Sequence, residues 1–314
     1  MKISFVTTVY NEEKTIGALL DSLFKQTIMP DEVVIVDGGS SDRTVANIKY
    51  QKSRSKILIK KGNRAVGRNE AIKNSGNEII VCSDAGCVLD KNWVKNIIEP
   101  FNDPKVDVVA GYYKGNAKTI FEKCLIPYVL VMPDKVDENN FLPATRSMAF
   151  KKSVWKKVGG FDEKFSNNED YVFAKSLKKI NANIVFEKEA IVYWMPRDNL
   201  LDAFAMFYRF AKGDSESRIF RPKVILIFLR YIIVLSVLFL FIILKSYLML
   251  NSLYLMFFAY LFWSIIKNYK YVKDIRAIFF LALVQIISDI AVICGTIEGF
   301  ISFYRLALNE RHQL

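Results

Sequence analysis

The sequence predicts an α/β domain with a mainly parallel central sheet, followed by an α-helical membrane domain of two to three spans. Two observations carry this. In the first hundred residues, short apolar and β-branched runs alternate with stretches of helical periodicity. Uniformly apolar strands with helices between them belong to a parallel sheet covered on both faces. From residue 224 the chain turns apolar, in runs as long as the roughly 20 residues a helix needs to cross a bilayer.

The elements of the first part come in order. Residues 3–10 read as a strand. Asn11 can cap a helix in which Ile16, Leu19, Leu20, Leu23 and Phe24 fall on one face. Residues 33–36 form a second strand, and Ser41 and Asp42 open a second helix. Residues 57–59 give a short strand, 65–74 a helix, and 78–82 a fourth strand. Ligands of such sheets bind beyond the carboxyl ends of the strands. Tyr10-Asn11-Glu12, Asp37-Gly38-Gly39-Ser40 and Ser83-Asp84 are therefore expected to converge on one cleft. A dinucleotide-binding domain would need Gly-x-Gly-x-x-Gly after the first strand; TTVYNEE stands there and excludes it. Residues 101–197 are less regular. No internal repeat or low-complexity linker interrupts the chain, and the boundary falls near residue 215, giving domains of 1–215 and 216–314.

Residues 224–244 carry one charge, Arg230, and 247–266 carry none, so both are expected to span. Residues 277–303 hold Asp289 and Glu298. This run either spans to about Gly295 and then lies flat, or buries its two acids against Arg230 or Lys245. A buried core helix is the competing reading, and three such runs, apolar on every face, argue against it. Arg218, Arg221 and Lys223 precede the first span, and Lys267, Lys270, Lys273 and Arg276 separate the second from the third. Basic flanks stay in the cytosol, which predicts a multi-pass cell-membrane protein whose amino-terminal domain is cytoplasmic. ISFVTTVY is too short an apolar run for a secretory leader.

The net charge of +12 suits anionic headgroups. No Arg-rich helix or RNA-binding aromatic motif points to nucleic acid. Cys82, Cys87, Cys124 and Cys294 lack metal-ligand spacing and suit a reducing compartment. The one histidine, His312, stands at the extreme end of the chain. A Ser-His-Asp or Cys-His arrangement and a His-ligated zinc are thereby excluded from the amino-terminal domain. Acid–base chemistry falls to Asp, Glu, Lys or Tyr.

Five segments, TTVYNEEKTIGALLDSL, VVIVDGGSSDRT, GRNEAIKNSGNEIIVCSDAGC, GGFDEKF and EDYVFAKSLKKIN, resemble the successive motifs of family-2 glycosyltransferases of the GT-A fold. They cover residues 1 to about 215 in the expected order. The resemblance implies a pocket for a nucleotide-sugar. Asp37 would accept hydrogen bonds from the base or ribose, with Thr8, Tyr10 and Glu12 lining the same pocket and Arg68 matching the family's arginine. Asp84 matches the first acid of the family's Asp-x-Asp, making it the candidate ligand of Mg2+ or Mn2+; Gly86 replaces the second acid. Magnesium often takes only one or two carboxylates besides phosphate oxygens and water, so one acid is compatible with metal use. Glu169-Asp170 resembles the catalytic Glu-Asp pair, with Asp170 the general base of an inverting transfer. A neighbouring cation would keep such a base ionised. Local readings compete with each. Asp37 could be a turn aspartate, Arg68 a solvated helix residue, and Glu169-Asp170 an acidic start to a helix over 170–179. Asp90 is a substitute metal ligand or, better, the cap of a helix over 92–99.

MFYRFAKGD is comparable to the Gln-x-x-Arg-Trp of processive polysaccharide synthases, but keeps only Arg209, with Met206 and Phe210 at the other positions. The resemblance then argues against long-polymer synthesis. Arg209 and Lys212 contact either the diphosphate or headgroups, and Arg146 is a further candidate for an acceptor or diphosphate contact.

The expected function is a membrane-anchored, inverting glycosyltransferase. It would move a sugar from a UDP- or GDP-sugar to a lipid-linked or polyprenyl-phosphate acceptor at the cytosolic face. A polysaccharide synthase of short or atypical product is one alternative. A catalytically idle sugar-nucleotide-binding subunit, favoured by Gly86, is the other. Two or three spans are too few for a transporter.

Overall fold

A computed structural model describes residues 1–51 and 55–311. His312 lies outside the described residues. The chain divides into two compact units, Met1–Asn116 with Leu130–Met195, and Ala117–Val129 with Pro196–Leu314.

The elements run in the order β1 (Ile3–Val9), α1 (Ile16–Leu23), β2 (Glu32–Asp37), α2 (Thr44–Gln51), β3 (Ser55–Ile59), α3 (Arg64–Lys73), β4 (Ile79–Cys82), β5 (Cys87–Leu89) and α4 (Trp93–Ile98). They continue with β6 (Val108–Gly115), α5 (Ile120–Val129), β7 (Met148–Lys151), α6 (Lys152–Lys157), α7 (Glu169–Lys179) and β8 (Ile184–Trp194). The last elements are α8 (Leu200–Glu216), α9 (Pro222–Leu244), α10 (Tyr247–Val272) and α11 (Ala277–Arg311).

The first unit is built on one sheet of order β3-β2-β1-β4-β7-β6-β8-β5. β3, β2, β1 and β4 are parallel, as the apolar runs predict. β7 enters antiparallel to β4 and to β6, β6 and β8 pair in parallel, and β5 closes the edge antiparallel to β8. The sheet is thus mainly parallel and GT-A-like, with a mixed half that the apolar pattern does not announce. Alternation along β1 sends Val6 and Phe5 to opposite faces. Val6 joins Val34, Ile80, Ile72 of α3 and Phe173 and Leu177 of α7 in one core. Phe5 meets the edge of Trp93 from α4 at 6.3 Å between ring centroids on the other face. Both faces are covered, which is why β4 reads Ile-Ile-Val-Cys with every residue buried.

One local expectation is corrected. Asn11 does not cap the first helix: it takes a left-handed conformation, φ 53°, and Thr15 holds the cap position. The Asn11 amide oxygen instead accepts from the Ser41 backbone N at 2.9 Å, joining the ends of β1 and β2. Residues 101–197 depart from the strand–helix alternation of the first half yet supply β6 and β8, which at 8 and 11 residues are longer than any strand of the parallel half.

In the second unit α9, α10 and α11 are long and apolar enough to cross a membrane, over Pro222–Leu244, Tyr247–Val272 and Ala277–Arg305. The third is one continuous helix that does not break at Gly295. Asp289 pairs with Arg230 of α9 at 3.0 Å, the partner its burial required. Glu298 meets Lys212 of α8 at 2.6 Å, in place of the expected Arg230 or Lys245. α8 and α11 pack backbone to backbone. A Cβ at Gly295 would lie 2.2 Å from the Tyr208 carbonyl oxygen, and one at Gly299 2.5 Å from that of Lys212.

Candidate active site

Within the first unit the three polar strand ends are tied together. Val9 and Asp37 are register partners at the ends of β1 and β2. The Thr7 hydroxyl donates to the Ser83 carbonyl at 2.8 Å, fixing the end of β4 beside β1. Thr8 lies under α3: a Cβ at Gly67 would come within 2.0 Å of the Thr8 hydroxyl, so glycine permits this approach. Tyr10, 61% exposed, stands beside Gly38 at the rim. The Glu12 carboxylate accepts from the Thr15 hydroxyl, so it is partly engaged at the start of α1.

Asp37 is buried and organises its own turn. Its Oδ1 accepts from the backbone N of Gly39 and of Ser40, both at 2.9 Å, and its Oδ2 from the Ser40 hydroxyl at 2.5 Å. The turn role therefore holds here, at the end of β2.

The centre is an arginine between two acids. Arg68 is 6% exposed on α3, so the solvated-helix reading fails. Its Nη2 donates to Asp84 Oδ1 at 2.8 Å, and its Nη1 to Glu169 Oε1. Its guanidinium lies 5.8 Å from the centroid of the Phe161 ring. Phe161 is set by Asn69, one residue along α3. The Asn69 side chain accepts from the Phe161 backbone N at 2.9 Å and the Trp155 indole N at 3.1 Å, and donates to the Phe161 carbonyl at 2.8 Å. The Arg-Asn pair of GRNEA thus clamps the GGFDE turn, where Gly159 and Gly160 adopt φ of 81° and 82°. Sequence reasoning missed Asn69, although its place inside a matched motif was the available signal.

Burial pushes the Asp84 carboxyl up, but Arg68, with Arg64 and Arg146 beyond it, outweighs this and holds it below the usual range. Burial and the same carboxylates act oppositely on Arg68, and the acids win, keeping it charged. Asp170 is the reverse case. Burial first, then the neighbouring Glu169 charge, raise its carboxyl above the ordinary value, against Arg68 and Arg146. Arg68 is already shared by Asp84 and Glu169, and its charge does not offset the burial of Asp170. Glu169 is 2% exposed, and its Oε2 has no hydrogen-bond partner among the described residues.

Asp84 is open to a metal. Its side chain is 37% exposed, and Oδ2 has one long contact among the described residues, 3.5 Å from the Thr145 hydroxyl. A Cβ at Gly86 would meet nothing within 4 Å, so the place of the second acid is open space. Among the described residues no group of three or more His, Cys, Asp or Glu could enclose a metal ion. The residues fit a cation held by one carboxylate oxygen, with phosphate and water filling its other positions. Asp90 is turned to other work: its Oδ1 accepts from Asn92 N at 3.1 Å before α4, and its Oδ2 from the Tyr193 hydroxyl at 3.3 Å. Arg209 belongs to the second unit, on α8, where its Nε donates to the Ala205 carbonyl at 3.1 Å.

Residues 4–156 match the model of glycosyl transferase family 2. A poly-beta-1,6-N-acetyl-D-glucosamine synthase of Staphylococcus epidermidis is 28% identical over 228 residues, 68% of this chain and 55% of that protein. The O-antigen chain rhamnosyltransferase RfbN of Salmonella typhimurium is 25% identical over 218 residues, 61% of this chain and 66% of that one. The chain thus spans about half the length of the synthase it matches. Among solved structures, the mannosyltransferase PcManGT of Pyrobaculum calidifontis, in complex with GDP-Man and Mn2+, superposes with a TM-score of 0.55 at 19% identity, covering 68% of this chain and 61% of that one. TarS of S. aureus, in complex with UDP-GlcNAc, gives 0.51 at 24%, covering 67% and 66%. At these identities the two structures speak for the fold alone.

The sheet and its flanking helices make the fold GT-A-like. Residues 4–156 are similar to glycosyl transferase family 2, and the chain continues into helices long and apolar enough to span a membrane.

Proposed function

We propose that this membrane-associated enzyme moves one sugar from a UDP- or GDP-sugar to a lipid-linked or polyprenyl-phosphate acceptor at the cytosolic face of the cell membrane, with inversion. Residues 1–215 would serve catalysis and 216–314 anchorage. The observation that carries the reading is the cluster of Arg68, Asp84 and Glu169, with Asp170 beside it, at the carboxyl end of a parallel sheet, in a chain that also bears three apolar helices.

The residues divide the work. Thr8, Tyr10, Glu12 and Asp37 bind the nucleoside end of the donor. Asp84 would hold Mg2+ or Mn2+, which would supply positive charge to the departing diphosphate. Arg68 is locked by its two acids and keeps Asp84 ionised and aimed. Asp170, its carboxyl raised by burial and by Glu169, is suited to take the acceptor proton, because a base works best when its pKa approaches the working pH. Arg209 would add a cation for the diphosphate or for headgroups.

Nucleotide binding tests this. With full-length protein in detergent, UDP or GDP is expected to bind in the presence of Mn2+, weaken on EDTA addition, and fail to bind Asp84→Ala. Folded protein that binds neither nucleotide would remove the donor assignment and bring the idle-subunit reading forward.

Similarity to the staphylococcal synthase favours a second reading, synthesis of a short or atypical polysaccharide. The replacement of Gln and Trp by Met206 and Phe210 weighs against it. A labelled-donor assay separates the two by product length: one added sugar, or a ladder.

A further inference from the structure

Three arginines lend their charge to Asp84, and they differ in how they are held. Arg68 is saturated by two carboxylates. Arg64 opens α3, behind the Asn63 cap. Arg146 is different again: among the described residues it forms no ion pair with any acid, although it is fixed in place at both ends. Its carbonyl accepts from the Ser83 hydroxyl at 2.7 Å, immediately before Asp84 in the chain. Thr145, just before it, reaches the Asp84 carboxylate. Its guanidinium lies against two aromatic rings, 5.3 Å from the centroid of Trp194 and 5.7 Å from that of Tyr113.

We propose that Arg146 is an anion subsite of this centre, built to hold a phosphate-bearing group beside Asp84. The rings hold the guanidinium without using its N–H groups, and among the described residues no acid pairs with them. That edge is the fork that matches a phosphate in pairs. A side chain already packed against two rings loses little freedom when it binds. The subsite also answers the departure at Gly86. One carboxylate holds a metal less firmly than two, and a fixed guanidinium next to it supplies part of the positive charge a diphosphate needs. The proposal rests on the glycosyltransferase reading. Its ligand chemistry is a phosphate ester, which either the donor's diphosphate or a phosphorylated acceptor could supply.

The test uses full-length wild-type protein, Arg146→Gln and Arg146→Lys in detergent, with UDP, GDP and farnesyl phosphate as calorimetric probes. Losing a charge-assisted contact should weaken one probe at least about tenfold in Arg146→Gln. Weakened UDP or GDP with unchanged farnesyl phosphate assigns the subsite to the donor; the converse assigns it to the acceptor. In either case the gap between wild type and Arg146→Gln should narrow as salt is raised from about 0.05 to about 0.5 M, since screening weakens the charge contribution. Arg146→Lys should retain part of the affinity. A merely structural arginine would show neither behaviour. All three probes binding Arg146→Gln within about twofold of a wild type that binds them would overturn the subsite and leave the enzyme reading intact. Wild type that binds none of them would overturn both.

Discussion

Replacing Arg68 with methionine keeps most of the side-chain volume and removes the charge between Asp84 and Glu169. The two acids then fare differently. Asp84, 37% exposed in its side chain, can turn to water. Glu169 cannot: its side chain is 3% exposed, its Oε2 lacks a partner among the described residues, and its Oε1 would lose the Arg68 ion pair. Breaking a buried pair by removing one partner costs about 3–5 kcal/mol, because a charge is left unpaired. For a domain of about 150–250 residues this corresponds to a fall of roughly 6–20 °C in Tm. Thermal unfolding in detergent followed by tryptophan fluorescence reports mainly on the right unit, since three of the four tryptophans, Trp93, Trp155 and Trp194, lie in it and Trp263 in the other. Adding Glu169→Gln removes the stranded charge, so the double variant should recover most of the loss. A fall of less than about 2 °C in the single variant, or no recovery in the double, would show that the pair does not hold the site together as described.

Asp170→Asn should leave nucleotide affinity within about twofold while cutting transfer at least about a hundredfold, the scale of lost general-base catalysis; unchanged transfer would remove Asp170 from the mechanism. Since the Asp170 carboxyl is raised by burial and Glu169, its ionised form appears only above the usual carboxylate range. The wild-type rate should therefore climb with pH through that displaced window and then level, and this acid limb should vanish in Asp170→Asn. Gly295→Ala places a Cβ 2.2 Å from the Tyr208 carbonyl oxygen, so α8 and α11 must move apart. The expected cost is about 1–3 kcal/mol from overpacking, read as a lowered thermal midpoint of the membrane unit; an unchanged midpoint would mean the helices are not in fixed contact.

Strands apolar on both faces have one environment available to them, so the parallel half of the sheet was legible from β1, β2 and β4 alone. The three apolar helices were legible for an equally simple reason, length against bilayer thickness. Asp84, Glu169, Asp37 and Arg68 were legible because matched motifs are local and survive as strings. Contacts between distant segments leave no such trace. Nothing near β6 or β8 in sequence says that they pair with each other in parallel and draw β5 and β7 into one sheet. Asn11 reads as a helix cap until the chain is seen to turn left-handed there and reach Ser41. Glu298 reads as a partner for Arg230 or Lys245 until α11 lies against α8 and presents it to Lys212.

The sequence by itself determined which residues carry charge, which segments are apolar enough to leave water, and that residues 1–215 hold no histidine. Only the tertiary structure decided how the charges are shared. Folding makes Arg68 the partner of Asp84 and Glu169 and stacks Arg146 on rings, with no acid paired to it among the described residues. It sets the Asp84 and Asp170 carboxyls moving in opposite directions. A residue's type fixes its charge, whereas its proton affinity and its vacancy for a ligand depend on burial and on neighbours brought from far along the chain.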